Sequence, residues 1–175
     1  MKKILLTIAA VISCAALFTA CNKDDNKNNG ETKNLKLFYD FYVSIPDAAE
    51  DQQDVLAMVM SAPNNQGVNQ DVVFSDYIDM LESKNEIKDL PRTITVSFKQ
   101  TLREDRPVKD SYKLGLNYKL TIKTLDDDNL VYDMQEKANE ETFTVSAANL
   151  NSMFPKTLTF KVDADKKGKI TITNL

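Results

Sequence analysis

The sequence predicts a mainly β fold: an antiparallel β-sandwich of about seven strands, with a two-helix insertion after the first strand. Apolar and polar residues alternate over long runs, which is typical of antiparallel strands with one face in water. Turn-forming residues separate the later runs, and helical spacing is confined to 46–91. The alternative is an α+β arrangement, in which both helices pack on one face of a curled antiparallel sheet.

The first strand and the insertion differ in the period of their apolar residues. The first strand places alternate apolar side chains on one face, and Pro46 closes it; these side chains are Leu35, Leu37, Tyr39, Phe41 and Val43. Asp47–Glu50 then has the form of a capping box, which predicts a helix with Val55, Met58 and Val59 on one face that ends at Pro63. A second helical stripe follows, made of Phe74, Tyr77, Ile78 and Leu81.

After Pro91 the alternation returns and continues to the end of the chain. The apolar side of the first two runs is predicted to face one core; its members are Ile94, Val96, Phe98, Leu114, Leu116, Tyr118, Leu120 and Ile122. Further strands are predicted at 130–135, 141–146, 156–162 and 168–173, with turns at 126–129, 138–140 and 163–168, and a short helical turn at 146–150.

This pattern resembles that of the immunoglobulin-like sandwiches. Removing 46–91 from the predicted domain 35–175 leaves 95 residues, close to the roughly 100 of that fold. A short helical turn between the fifth and sixth strands also resembles the family, where the chain crosses between sheets. The chain lacks the family's core Trp and its Cys pair. The resemblance therefore implies the architecture of the domain and no particular function.

The N-terminal segment has the composition of an export signal. Lys2 and Lys3 precede the uncharged run 4–20, which is too short for a typical membrane-spanning helix. Phe18-Thr19-Ala20-Cys21 resembles the lipobox of bacterial lipoproteins. The resemblance implies removal of residues 1–20 and lipidation of Cys21. A rival box ends at Cys14, but cleavage there would leave an apolar new terminus.

The residues after Cys21 indicate a destination. Lys23, Asp24 and Asp25 resemble the signal that sends lipoproteins of Bacteroidota to the cell surface. The resemblance implies an outer-membrane lipoprotein that is exposed on the cell and contacts the membrane through its N-terminal lipid. Residues 21–34 contain no large apolar side chain, which predicts a flexible tether before the single domain 35–175.

The composition excludes several kinds of chemistry. The chain has no His, and both of its Cys lie in the N-terminal segment. Catalytic sites built on Ser-His-Asp or Cys-His, and the usual zinc sites, are therefore not available to the predicted domain. The formal charge is −4, and it falls to −6 when Lys2 and Lys3 leave. An acidic domain is a poor nucleic-acid binder, and no cofactor motif is present.

Two acidic segments could hold calcium, which prefers oxygen ligands. Asp163 and Asp165 open a D-x-D-x-x-G pattern, but Lys167 stands where a third ligand belongs. A hairpin turn is the favoured interpretation. The second segment is an acidic tip made of Asp126, Asp127 and Asp128, for which a solvated turn is again favoured over a metal site.

A basic strip is the other candidate site. Lys99, Lys113, Lys119 and Lys123 fall on the polar faces of strands predicted to be adjacent, where they could bind an anionic glycan. Lysines that only keep a sheet soluble are the favoured interpretation.

These features favour a non-enzymatic surface lipoprotein that binds a glycan, a protein partner or a surface assembly. One alternative is a small His-free hydrolase that uses two carboxylates, although the sequence does not show which carboxylates would face each other. A second alternative is an inhibitor or accessory subunit of a surface complex.

Overall fold

A computed structural model of the chain describes residues 34–73 and 80–175, with the side chains of residues 80 and 81 left out. This part of the chain contains nine strands and two short helices. Their bounds in chain order are β1 Lys36–Ser44, α1 Gln52–Val55, β2 Leu56–Pro63, β3 Asn69–Val73, β4 Met80–Ile87, β5 Arg92–Leu102, β6 Ser111–Leu125, β7 Val131–Ser146, α2 Ala147–Met153, β8 Lys156–Ala164 and β9 Ile170–Asn174.

The strands form two antiparallel sheets that confirm the predicted mainly β sandwich. The four-stranded sheet, here called sheet A, has the order β4-β1-β6-β7. The five-stranded sheet, called sheet B, has the order β3-β2-β5-β8-β9. Successive side chains of a strand point to opposite faces, so each alternating run supplies one apolar face to the interior and one polar face to solvent.

The core lies between the inner faces of the two sheets. Phe41 of sheet A lies 6.1 Å, centroid to centroid, from both Phe98 and Phe160 of sheet B, and all three rings are buried. Burying one such side chain contributes about 1.5–3 kcal/mol. The apolar positions predicted for β5 and β6 face inwards as expected, although Leu114 packs in a separate cluster.

That second cluster fills one end of the sandwich and involves both helices. Its buried members are Val55, Leu56, Tyr112, Leu114, Val145, Leu150 and Phe154. The predicted helical turn at 146–150 is confirmed as the beginning of α2, which carries the chain from sheet A to sheet B. Neither helix in the described residues is long and apolar enough to cross a bilayer.

The prediction that the insertion at 46–91 consists of two helices is wrong. The first half of the insertion holds the four-residue α1 and then β2, which pairs with the central strand β5. The segment 56–63 is apolar at almost every position, so its periodicity fits a helix and a buried strand equally well. Of the second predicted helix, residues 74–79 lie outside the described part, and Met80 and Leu81 begin β4.

The predicted strand count is also corrected. The segments 130–135 and 141–146 are one continuous strand, β7, because β6 pairs with it along almost its whole length. The polar residues at 138–140 look like a turn in the sequence, but they lie in the exposed middle of an edge strand. Six predicted strands and the three unpredicted strands β2, β3 and β4 make up the nine.

Three hairpin loops share one conformation. Each starts with an Asn or Asp whose side-chain oxygen accepts hydrogen bonds from backbone N–H groups two and four residues later; these residues are Asn64, Asp126 and Asp165. The fourth residue of each loop has a positive φ: Gly67 at 78°, Asn129 at 61° and Gly168 at 76°. Such backbone angles favour Gly and Asn, which explains the turn residues seen in the sequence.

Candidate functional site

The outer face of sheet A combines aromatic, charged and amide side chains. Its positions alternate with the core positions of the same strands, and the pairing register aligns them in rows. Phe38, Asp40 and Tyr42 of β1 form the central column. The flanking positions are Glu82, Lys84 and Glu86 of β4, Asn117, Lys119, Thr121 and Lys123 of β6, and Met134, Glu136 and Ala138 of β7.

Opposite charges alternate across this face. The Lys84 ammonium contacts Glu82 and lies 3.8 Å from Asp40, while Lys119 pairs with Glu136 at 2.8 Å. Exposed pairs of this kind contribute little to stability. These pairs matter more for ligand choice than for stability. Because the charges of the face nearly balance, it does not select strongly for either a cationic or an anionic ligand.

Asp40 and Glu82 are diagonal neighbours on β1 and β4, because Asp40 lies opposite Lys84 and Glu82 lies opposite Tyr42. Burial and the negative charge of Glu82 raise the pKa of Asp40 above its ordinary value. The hydrogen bond and positive charge of Lys84 instead lower the pKa of Glu82. The two carboxyl groups therefore differ in their readiness to hold a proton, with Asp40 the better proton holder.

Two buried oxygen atoms on this face have no hydrogen-bond partner. They are Oδ1 of Asp40 and Oδ1 of Asn117, and they are the only such side-chain atoms in the described residues. Tyr42, which is 37% exposed, lies between them on the strand grid. Strand spacing puts the two positions about 14 Å apart. Native proteins rarely leave buried polar atoms unpaired, so these acceptors call for a donor from water or a ligand.

The calcium candidates are largely committed to the fold. Asp126 and Asp165 each bind the N–H groups of their own loop. Asp163 accepts a hydrogen bond from the Thr93 hydroxyl and lies 3.2 Å from Lys161. Asp127 and Asp128 are exposed at the same tip as Asp126. The described residues contain no group of three acidic, Cys or His side chains placed to hold a metal ion.

The four lysines of the predicted basic strip do not lie together. Lys113, Lys119 and Lys123 are on the outer face of sheet A, whereas Lys99 is on the outer face of sheet B. Strands β5 and β6 follow each other in the chain, but they belong to different sheets, so the prediction of adjacent strands is wrong. Lys113 is also paired with Glu50 at 2.9 Å.

A shallow pocket of about 430 Å³ lies at the end of sheet B where β5 begins and β8 ends. Arg92, Lys169 and Asp163 contribute to its lining. Arg92 Nη1 donates to the Lys88 carbonyl at 3.4 Å. The side chains of Asp163 and Asp165 in its lining are already engaged, as described above. The pocket therefore supports a binding role less well than the outer face of sheet A.

Sequence reasoning missed Asp40, Tyr42, Glu82 and Asn117 as a group. Asp40, Tyr42 and Asn117 occupy outward positions of predicted strands, whereas Glu82 follows a predicted helix, so the sequence carries no signal that groups them. The pairing of β1 with both β4 and β6 brings them onto one face. The predicted lipidation residue Cys21, its rival Cys14 and the export residues Lys23, Asp24 and Asp25 lie outside the described residues.

Comparisons with protein-family models, with curated proteins and with solved structures find no match to this chain.

Proposed function

We propose that the protein is a non-enzymatic surface lipoprotein that binds a neutral glycan on the outer face of sheet A. The observation that carries this proposal is the pair of unpartnered acceptors, Asp40 Oδ1 and Asn117 Oδ1, on either side of the exposed Tyr42. Both atoms lack hydrogen-bond donors and are covered in the free protein, so a sugar hydroxyl that donates to them must displace the neighbouring side chains of this face.

The other side chains of the face suit the same ligand. The ring of Tyr42 offers an apolar surface with a polar tip, against which the C–H face of a sugar can pack. The mixed charges favour a neutral ligand over a charged one. The separation of about 14 Å between the acceptors favours an oligosaccharide that extends over several sugar units rather than a single sugar.

Glycan binding by variants of the full chain tests the proposal. Wild-type protein is screened against a panel of neutral and acidic polysaccharides, and the best ligand is titrated by calorimetry. Tyr42→Ala and Asn117→Ala should each weaken binding by about tenfold, the equivalent of 1.4 kcal/mol. Tyr132→Ala is the matched control, because Tyr132 is also exposed but lies about 20 Å farther along the sheet. Equal binding by Tyr42→Ala and the control would contradict the proposed site.

A carboxylate-dependent hydrolase is the second candidate, and the diagonal placement of Asp40 and Glu82 on neighbouring strands favours it. One carboxyl with a raised pKa beside another with a lowered pKa is the division expected of an acid and a base. Glycosidase carboxyls stand about 5 Å or more apart, with the sugar between them, whereas Asp40 and Glu82 are near enough for the charge of Glu82 to raise the pKa of Asp40. Product release from the polysaccharide panel, abolished by Asp40→Asn, would establish the hydrolase in place of the binding protein.

We further propose that the chain is anchored in the outer membrane through a lipid on Cys21 and is displayed on the cell surface. The lipobox ending at Cys21 and the signal Lys23-Asp24-Asp25 support this location. Two or more acyl chains on one residue give stable anchoring, whereas one chain gives only reversible binding. A surface location would expose the outer face of sheet A to external polysaccharides.

A further inference from the structure

Strand β7 is an edge strand of sheet A and is 16 residues long. The other edge strands, β3, β4 and β9, have 5, 8 and 5 residues. Every residue from Met134 to Glu140 is exposed, so both faces of the strand are open over this stretch. A long, open edge presents unpaired backbone groups that can template pairing with another strand.

The direction of these backbone groups follows from one hydrogen bond. The N–H of Ala147 donates to the carbonyl of Asp110 at 2.9 Å, and this pair continues the register of β6 with β7. Hydrogen-bonded pairs alternate along an antiparallel ladder. The odd-numbered residues of β7 therefore bond to β6, and the even-numbered residues turn their N–H and C=O groups towards the free edge.

Sheet B meets β7 near its beginning and again on its inner face at Glu141, which pairs with Lys156 of β8. At the beginning of β7 the N–H of Ile170 donates to Asp133 Oδ2 at 2.8 Å, and the N–H of Met134 donates to Asp133 Oδ1. Farther along the strand, the inner-face positions Gln135, Lys137 and Asn139 are exposed. The free edge from Glu136 to Thr144 is therefore open to another strand.

We infer that this edge pairs with β7 of a second copy of the chain. The two strands run antiparallel about a two-fold axis perpendicular to the sheet, which joins the two copies of sheet A into one eight-stranded sheet. The interface is the same patch on both copies, as in most closed dimers. This inference is independent of the proposed glycan site.

The charges along β7 select one register. Like charges directly opposite each other destabilise a strand pair. Two-fold registers centred on Glu136, Lys137, Glu140 or Glu141 place each of these residues opposite its own copy. The register centred on Ala138 opposes Glu136 with Glu140. Of the registers centred on residues 136 to 144, the one centred on Asn139 is the only one that pairs opposite charges and opposes no like charges, because it places Lys137 opposite Glu141 twice.

This register also accounts for the charge at position 137. Lys137 points to the inner face of an open edge and has no carboxylate partner in the described residues, while Glu141 is paired with Lys156 at 2.7 Å. An inward charge on an edge strand discourages indiscriminate pairing. In the register centred on Asn139, Lys137 gains a carboxylate from the second copy, so the same residue permits one specific pairing.

A cysteine at the axis tests the register in the full chain. Asn139 faces its own copy in a non-hydrogen-bonded pair, where the Cα atoms are about 4.5 Å apart, within disulfide range. Asn139→Cys should give a covalent dimer on a non-reducing gel. Lys137→Cys is the matched control: it lies on the same strand and face, but about 13 Å from its copy. Unmutated chain gives the background from Cys14 and Cys21.

Charge reversal in the Asn139→Cys chain provides the second test. Lys137→Glu turns two attractive pairs into two repulsive ones and should slow dimer formation about tenfold. Adding Glu141→Lys should restore it, with circular dichroism confirming that each variant is folded. Three outcomes would overturn the inference: no dimer of Asn139→Cys, an equal yield from Lys137→Cys, or no recovery in the folded double variant. Cross-linking of Asn139→Cys only to another protein would indicate a different partner for this edge.

Discussion

At the scale of single residues, Asp51 joins three segments at the end of the sandwich. Its side chain is almost fully buried, accepts the backbone N–H of Lys113 at 2.7 Å and contacts the ammonium of Lys109. The neighbouring Gln52 accepts the N–H of Gly115 at 3.0 Å. The sequence predicts Asp47 as the capping residue. Nothing in the sequence marks Asp51 as a residue that binds β6, because its partner Lys113 lies about 60 positions away.

Replacing Asp51 with Asn should remove a charged hydrogen-bond acceptor and destabilise the fold at pH 7 by about 1.5–3 kcal/mol. Burial alone would raise the pKa of Asp51, but the hydrogen bonds from Lys109 and Lys113 lower it overall. A carboxyl whose pKa is lower in the folded state stabilises the fold above its unfolded pKa of about 3.9, and this contribution is lost as the pH falls through the folded value.

Urea unfolding at pH 7 and at pH 3 measures both effects. The difference between wild type and Asp51→Asn should shrink at the lower pH. Asp47→Asn, on an exposed side chain of the same segment, should stay within about 0.5 kcal/mol of wild type at both pH values. A difference for Asp51→Asn that stays constant with pH would mean that its charge contributes nothing.

At the scale of elements, the clarity of the apolar pattern separates the correct predictions from the wrong ones. Strands β5 and β6 have polar residues at most positions between their apolar ones, so only period two fits them. Strand β1 carries the aromatic Phe38 and Tyr42 on its outer face, and Pro46 marks its end. Strand β2 is apolar on both faces, because it lies inside sheet B and its outer face is partly covered. The middle of strand β7 has no apolar face, so its sequence does not predict a strand there. Its strand conformation is evident only from its pairing with β6.

Neighbouring residues of β2 distinguish the strand from the predicted helix. Met60 is buried in the main core, whereas Val59 points to the other face and is only partly buried. Met60→Ala should therefore cost about 2–5 kcal/mol. Val59→Ala should cost distinctly less, measured by urea unfolding of both variants. A helix with Val55, Met58 and Val59 on its buried stripe would reverse this order.

At the scale of the whole molecule, the sequence predicts two packed sheets but not which strands lie next to each other in them. Alternation shows that each strand has a wet and a dry face, which is enough to predict a sandwich. It does not show that β1 lies between β4 and β6, or that β5 and β6 lie in different sheets. The candidate site depends on that order, since Asp40 and Glu82 come from strands far apart in the sequence. Because the strand order was not predictable, the predicted lysine strip was wrong and the face around Tyr42 was not predicted.

The proposed anchor concerns the whole molecule, and its chemistry is testable directly. Cys21→Ala should abolish the incorporation of radioactive palmitate into the protein, because the acylated thiol is gone. Cys14→Ala should leave labelling unchanged, and it serves as the matched control from the rival box. Label that persists on Cys21→Ala and disappears on Cys14→Ala would move the lipidation site to position 14.

Display on the cell surface is the last prediction, and it depends on the residues that follow Cys21. Changing Lys23, Asp24 and Asp25 to Ala should leave lipidation intact but retain the protein inside the envelope. Residues 22–34 contain no large apolar side chain, so a protease added outside should cut this stretch before it cuts the paired strands of the sandwich. The intact domain should then leave wild-type cells, whereas the triple variant stays protected until the outer membrane is opened. A protein of the inner leaflet, probed on the same blot, shows that the cells are sealed. Equal release of both forms from sealed cells would show that the Lys-Asp-Asp segment is not an export signal.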